Sequence, residues 1–434
     1  MQNILSITRL SAVIIFLFAG FGSAAQTEML LSLDSARHYA LEHNKTLINA
    51  DLAVDEAGLR LRETIAQGLP QVDASVDYNN FFGSTAEISF GPVPAVIEFN
   101  PTSNLNLSVG QLVFSGSYIV GVQTARLFRE ITAATKEKTE LEIKAQVTRA
   151  YYLSLVSMRS MSIVEANLEN LRDVMEKTRV MVDAGIAEDL DYDQLSVQTV
   201  MLENAMRAAG RQVELSLNML RLQMGLDSYV NISLTDNLDD IVSRSDFRGT
   251  LISPFTLHEN IDYQMVELQK SIAEKQVDLE RAAYLPTIMG FYNYTEKLMK
   301  PEFDIQPKHV IGFNMSIPIF SSGVRQSRVR QARINLEVVE NQKDLISEQL
   351  MISEKQLRYN LNNAIEQYDS QKANVEVAQR VFANIKLKYE QGMVSSLDLT
   401  TANTNYLQAE SSYISAMMEL LNAQVEMDKL LNSI

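Results

Sequence analysis

Two hydrophobic rhythms alternate along this chain. After Pro70 the period is two: Val72, Ala74, Val76 and Tyr78 alternate with Gln71, Asp73, Ser75, Asp77 and Asn79, which predicts a strand over about 71–79. Leu105, Leu107 and Val109 alternate with Asn104, Asn106, Ser108 and Gly110, a second strand over about 104–112. The pattern returns late in the chain. Ile288, Tyr292 and Tyr294 share one parity over about 287–295, and Ile311, Phe313, Met315 and Ile317 alternate with Gly312, Asn314 and Ser316 over about 309–319. Each run is about ten residues, the length of a tilted strand that spans a bilayer.

The other rhythm is helical. Val164, Leu168, Leu171, Met175 and Val182 mark one face, and Val375, Ala378, Phe382, Ile385 and Tyr389 another. Near the end Leu399, Tyr406, Tyr413, Leu420, Met427 and Ile434 recur every seventh residue, with Ala402, Ala409, Ala416, Ala423 and Leu430 in a second seam. Small residues at one seam let coiled helices approach closely. All nine prolines fall outside 102–253 and 319–434, so very long helices fit there. Helical hairpins are expected over about 117–225 and 324–432. Their first helices, Ser117 to Ala184 and Val324 to Gln391, would each be roughly 100 Å long at the α-helical rise. Gly185 and Gly392 stand at the expected helix ends, where a left-handed residue suits glycine.

The chain repeats itself. Leu69-Pro70 before the first strand recurs as Leu285-Pro286, and the segment Val109 to Gly116 (VGQLVFSG) as Met315 to Gly323 (MSIPIFSSG). A spacing of 207 residues then relates V-x-x-A-R at Val122–Arg126 and Val329–Arg333, Tyr152 and Tyr359, Gly185 and Gly392, and Leu190-Asp191 and Leu397-Asp398. The expected organisation is a first repeat over 26–225, a linking or equatorial segment over 226–258 and a second repeat over 259–434.

Residues 1–25 read as a secretory signal peptide: Arg9, an apolar run from Leu10 to Phe21, and the small residues Ser23-Ala24-Ala25 before cleavage. No later stretch approaches the ~20 apolar residues of a spanning helix, so any membrane segment must be β-strand. On pattern alone the strands also fit a soluble sheet half-covered by helices. Long polar loops on one side (80–103 and 295–307) and helices too long to pack over such a sheet favour the barrel. Four strands cannot close a barrel, and open edges in lipid leave backbone groups unsatisfied, so several chains are required. Two chains are the minimum and three would supply twelve strands.

Composition removes other classes. Fifty-four acidic residues against 38 basic ones give a net charge of −16, unlike a nucleic-acid binder. There is no cysteine, and the four histidines (His38, His43, His258, His309) have no ligand spacing. Nineteen methionines fall mostly at helical core positions and read as packing rather than a soft-metal path. His38 and His43 are expected to be solvated, and Glu137–Glu142 to lie on exposed helix with i,i+4 pairing. No acid–base dyad, Ser/His/Asp set or phosphate loop is present, so no enzyme, cofactor or metal centre is expected.

In order and repetition, these features resemble the TolC-like outer membrane efflux protein family over 26–434. The residues that carry the likeness are the two Leu-Pro strand starts, the F-S-G and F-S-S-G strand exits, and the G-x-x-x-x-L-D turns at Gly185–Asp191 and Gly392–Asp398. The resemblance implies a mainly α fold with membrane β-strands: four strands per chain in a twelve-stranded trimeric barrel, continued by a coiled-coil tunnel into the periplasm. It implies a homotrimer in outer-membrane lipid, passive, docking a periplasmic adaptor (membrane fusion) protein and an inner-membrane pump of RND or ABC type.

It also implies a constricted tunnel tip. Asp398 matches a tunnel-constricting acid of that family and Tyr389 a tyrosine of its closing network, and Asp191 is the counterpart of Asp398 in the first repeat. Val394 and Thr401 depart from the arginine and second acid of that pattern, which leaves closure to other contacts such as Glu188, Asp189 or Asp193. Both aspartates also suit the positive end of a helix dipole, and that reading stays open. Three like charges ~7 Å apart at an effective dielectric near 20 would repel by ~2 kcal/mol per pair, favouring cations. The competing functional readings are a periplasmic coiled-coil adaptor or structural protein, which would carry one hairpin, and a chemoreceptor-like sensor, which would need transmembrane helices.

Overall fold

The computed structural model describes residues 29–89, 94–300 and 306–434; the expected signal peptide lies outside them. In chain order the elements are β1 (Met29–Leu31), α1 (Leu33–His43), α2 (Lys45–Ala66), β2 (Gln71–Asn79), β3 (Thr85–Ser89), β4 (Pro94–Glu98) and β5 (Thr102–Ser115). Then follow α3 (Gly116–Asp183), α4 (Asp189–Met224), β6 (Ile232–Leu234), α5 (Leu238–Arg244), α6 (Phe247–Ile252), a 3-10 turn (Leu257–Glu259) and α7 (Ile261–Ala282). The second half closes with β7 (Thr287–Met299), β8 (His309–Ser316), α8 (Val324–Glu390) and α9 (Ser396–Leu430). The long helices α3 and α8 have 68 and 67 residues, and neither contains proline.

The chain folds into two compact units, each drawing on both repeats. The described residues of the first are 29–44, 146–246 and 367–421, and those of the second are 45–145, 247–366 and 422–434.

In the first unit, β1 and β6 pair in parallel, Met29 opposite Ile232 and Leu31 opposite Leu234. Fully buried Tyr151 locks this pairing: its hydroxyl lies 2.9 Å from both the Leu31 carbonyl and Asp236 Oδ2. Asp236 also accepts from the Leu33 amide at 2.7 Å. Ser32 starts α1 with a capping box to Ser35. Further along, Asn167 and Asn403, both buried, exchange amide hydrogen bonds of 2.6 and 3.2 Å between α3 and α9.

The second unit holds a four-stranded antiparallel sheet in the order β2-β5-β7-β8, and a separate β3–β4 hairpin. In the register Val76 faces Leu105, Leu107 faces Tyr294, and Tyr292 faces Ile311. Period-two alternation therefore collects Val72, Val76, Leu105, Leu107, Val109, Tyr292, Ile311 and Phe313 on one face. Among the described residues nothing covers its outer strands: Val76 is 64% exposed, Ile311 84% and Phe313 76%. The opposite face is polar and internally bonded. Asp77 accepts from Asn104 at 2.9 Å and Asn106 at 2.6 Å, and Thr295 donates to Asn106 at 3.0 Å. A soluble sheet buried beneath helices would hide the apolar rows, and this one displays them.

Three boundaries differ from the pattern-based ones. β5 extends beyond 104–112 to Thr102–Ser115 because it has a neighbour on each side. β7 runs to Met299, shortening the expected loop 295–307, and β8 ends at Ser316 rather than 319. Loop 80–103 contains the β3–β4 hairpin, closed by the Phe99 amide on the Ser84 carbonyl at 2.9 Å. The acidic run at 137–142 pairs across helices as well as along one. Lys136 meets Glu140 and also Asp51, Lys138 meets Asp262, and Glu142 meets Lys429. His38 is exposed beside Glu42, and exposed His43 stacks on Tyr39.

Candidate functional site: the paired helix turns

Within the first unit, α3 turns into α4 and α8 into α9 by the same device. Gly185 and Gly392 adopt φ of +71° and +72°. The Ile186 amide reaches the Met181 carbonyl and the Met393 amide the Lys388 carbonyl, at 2.8 and 2.9 Å. The amides of Gly185 and Gly392 bond Val182 and Tyr389, completing a Schellman motif at each turn.

Both aspartates sit in the first turn of their helix. The Glu188 amide donates to Asp191 Oδ2 at 3.2 Å. Asp398 Oδ2 accepts from the Ser395 amide at 3.1 Å and the Ser395 hydroxyl at 2.7 Å, and Ser395 Oγ accepts the Asp398 amide at 3.2 Å. These bonds hold the Asp398 carboxyl below the usual carboxylate range. Each aspartate thus does the work of a helix-start residue, in the positive field of its helix terminus.

Asp191 does more. Its Oδ1 accepts the hydroxyl of Ser396, the first residue of α9, which is 2% exposed and lies 3.0 Å from Gln194 Oε1 as well. The first repeat is thereby tied to the second. Another tie lies one turn back, where Tyr389 and Thr178, both buried, meet at 2.9 Å. Burial, assisted by the nearby Asp191 charge and opposed by the Thr178 bond, pushes the Tyr389 phenol above its ordinary value. Lys177 bridges Asp173 at 2.8 Å and Glu390 at 3.0 Å.

Beneath these contacts lies an apolar core of Leu168, Leu171, Val174, Leu195, Leu202, Tyr389 and Leu399, with Val394 packed against it. Val394 occupies the place expected for an arginine, and it contributes to packing rather than charge. Thr401 is exposed. Glu188, Asp189 and Asp193 are exposed as well, and only Glu188 joins the network, through its backbone.

Sequence reasoning brought Tyr389, Asp191, Asp398 and the two glycines to this end of the hairpins. It missed Thr178, Ser395, Ser396 and Gln194. Ser395-x-x-Asp398 was legible as a capping pattern, whereas nothing along the chain pairs Thr178 with a residue 211 positions away. Among the described residues no group of three or more His, Cys, Asp or Glu is placed to hold a metal ion, and no helix is long and apolar enough to cross a membrane.

The described chain thus consists mainly of two duplicated helical hairpins and a four-stranded sheet with an exposed apolar face. The model of the outer membrane efflux protein family matches residues 36–226 and 255–433, and the chain belongs to that family. Its members are outer-membrane channels, not enzymes. The outer membrane protein TolC of Salmonella enteritidis is 20% identical over 425 residues, covering 94% of this chain and 82% of that protein. TolC of Escherichia coli K12 is 19% identical over 433 residues, covering 96% and 84%. Among solved structures, CusC superposes with a TM-score of 0.76 at 16% identity, covering 92% of this chain and 91% of CusC. The Campylobacter jejuni outer-membrane channel CmeC gives 0.73 at 17%, covering 92% and 85%. The fold is therefore the mainly helical tunnel fold with a four-stranded sheet.

Proposed function

We propose that this chain is the exit duct of a tripartite efflux or type I secretion assembly. Three copies close a twelve-stranded barrel in the outer membrane, and their helices form a tunnel projecting into the periplasm. There the tunnel meets a periplasmic adaptor and an inner-membrane pump of RND or ABC type. Transport through it is passive. The observation that carries this reading is the open sheet: among the described residues, an uncovered apolar face, a hydrogen-bonded polar face and two outer strands each lacking one neighbour.

The paired turns are the gate in this reading. The Tyr389–Thr178 and Ser396–Asp191 bonds hold the two hairpins of a subunit together, and Asp398 supplies a ring of charge where three subunits converge. Native mass spectrometry of protein extracted by detergent from isolated outer membranes tests the assembly. A trimer is expected, and a soluble monomer absent from that fraction overturns the reading. Co-purification of an adaptor by the trimer, lost when the turns are altered, tests the tripartite part.

A further inference from the structure

The duplication contains information about how one copy meets the next. β2 and β7 correspond at a spacing of 216 residues, as Leu69-Pro70 and Leu285-Pro286 do. β5 and β8 correspond at 206, one less than the helices, because F-S-S-G carries one serine more than F-S-G. Together these spacings convert one observed hairpin into the other. Gln71 opposite Gly110 becomes Thr287 opposite Ser316, Val72 opposite Val109 becomes Ile288 opposite Met315, and Tyr78 opposite Ser103 becomes Tyr294 opposite His309.

The two halves join within the chain along β5 and β7, where Leu107 faces Tyr294, Val109 faces Tyr292 and Gln111 faces Gly290. The counterpart of that seam joins β8 to β2, and these are the two outer strands, which do not pair with each other. From the spacings we infer that β8 of one copy pairs antiparallel with β2 of the next, Phe313 opposite Tyr78, Met315 opposite Val76 and Ile317 opposite Ala74. The inference rests on the multi-chain barrel proposed above and adds its register. A heterologous contact of this kind, repeated around an axis, closes a ring and leaves no free edge.

Strand lengths support it independently. β5 continues to Ser115 beside β7, with an irregularity between Leu112 and Phe114. The corresponding stretch after β8, Ile317 to Phe320, has no strand partner among the described residues. Phe114 is half-buried beside β7, whereas its counterpart Phe320 is 85% exposed, and Ile319 is 92% exposed. Pro318 falls at the edge of the corresponding irregularity, one of the few places a sheet accepts proline.

The absence of cysteine makes the test clean. Residues directly opposed in an antiparallel pair lie about 4.5–5.5 Å apart at Cα, within reach of a disulfide. The double variant Val76→Cys/Met315→Cys, oxidised in outer-membrane vesicles and run without reductant, is expected to lose most of its monomer band to dimer and trimer. Val76→Cys/Ile311→Cys is displaced by four residues, about 14 Å along the strand, and is expected to stay monomeric on the gel. Native mass spectrometry of each single-cysteine variant establishes that assembly is intact. Cross-linking of the displaced pair, or of neither pair, in protein that remains trimeric overturns the register and leaves the channel standing. A monomer by mass that cross-links in neither variant overturns both.

Discussion

The hydroxyls of Tyr389 and Thr178, 211 positions apart in the chain, meet across a buried 2.9 Å contact, and Thr178 Oγ1 also lies 2.8 Å from the Val174 carbonyl. Tyr389→Phe removes one hydrogen bond and keeps the ring in its core, so the expected cost is about 1 kcal/mol. If this bond helps hold the tip shut, Tyr389→Phe/Ser396→Ala conducts more in planar bilayers than either single change. Unchanged open probability in the double variant would remove these bonds from the gate.

Asp398 is expected to make the channel prefer cations, and Asp398→Asn to lower the cation-to-anion permeability ratio without changing assembly. Because Ser395 holds the carboxyl below its ordinary range, the cap it forms with Ser395 is fully present above the unfolded-state value. That contribution fades as pH falls through the depressed folded value. Mutual repulsion in a ring of three Asp398 carboxylates acts in the opposite direction, so cation preference is expected to weaken as pH falls. Reversal potentials measured from neutral to acidic pH check both statements, and a ratio indifferent to the substitution places Asp398 away from the conducting path.

The left-handed glycines differ in what surrounds them. At Gly185 a Cβ would meet nothing within 4 Å, so Gly185→Ala bears only the backbone cost of about 1–2 kcal/mol. At Gly225, φ +75°, the same Cβ would lie 2.4 Å from the carbonyl oxygen of His43. Gly225→Ala should destabilise by clearly more, read as a larger drop in melting temperature under identical detergent conditions. Asn432, 207 residues later, has φ of +55° and the same Schellman bonds at the end of α9. Asn432→Gly is therefore expected to leave helix termination intact.

Tyr151→Phe should loosen the start of the described chain. The hydroxyl it removes serves both the Leu31 carbonyl and the Asp236 carboxylate in a buried site, which sets the cost at about 1–3 kcal/mol. Hydrogen exchange at Met29–Leu31 and Ile232–Leu234 is the sensitive readout. Faster exchange there than elsewhere in the first unit is expected, and unchanged protection would show that strand pairing alone secures the segment.

Local chemistry was legible along the chain because it depends on neighbours a few residues apart. Period-two runs placed β2 at 71–79 as observed, proline placement freed 102–253 and 319–434 for long helices, and Gly185 and Gly392 marked the turns. Even the alternation of Asp77 and Asn106 with Val76 and Leu107 separated the sheet's two faces. What tertiary structure decided involves partners that sequence distance hides. Ser396 on Asp191, Thr178 under Tyr389 and the Tyr151–Asp236 lock each join residues 85 to 211 positions apart. Strand ends belong to this second kind too, since β5 outruns its pattern where β7 lies beside it and β8 stops at Ser316, short of its pattern. A hydrophobic period records which face a segment buries, whereas its length and its polar ties depend on what lies opposite.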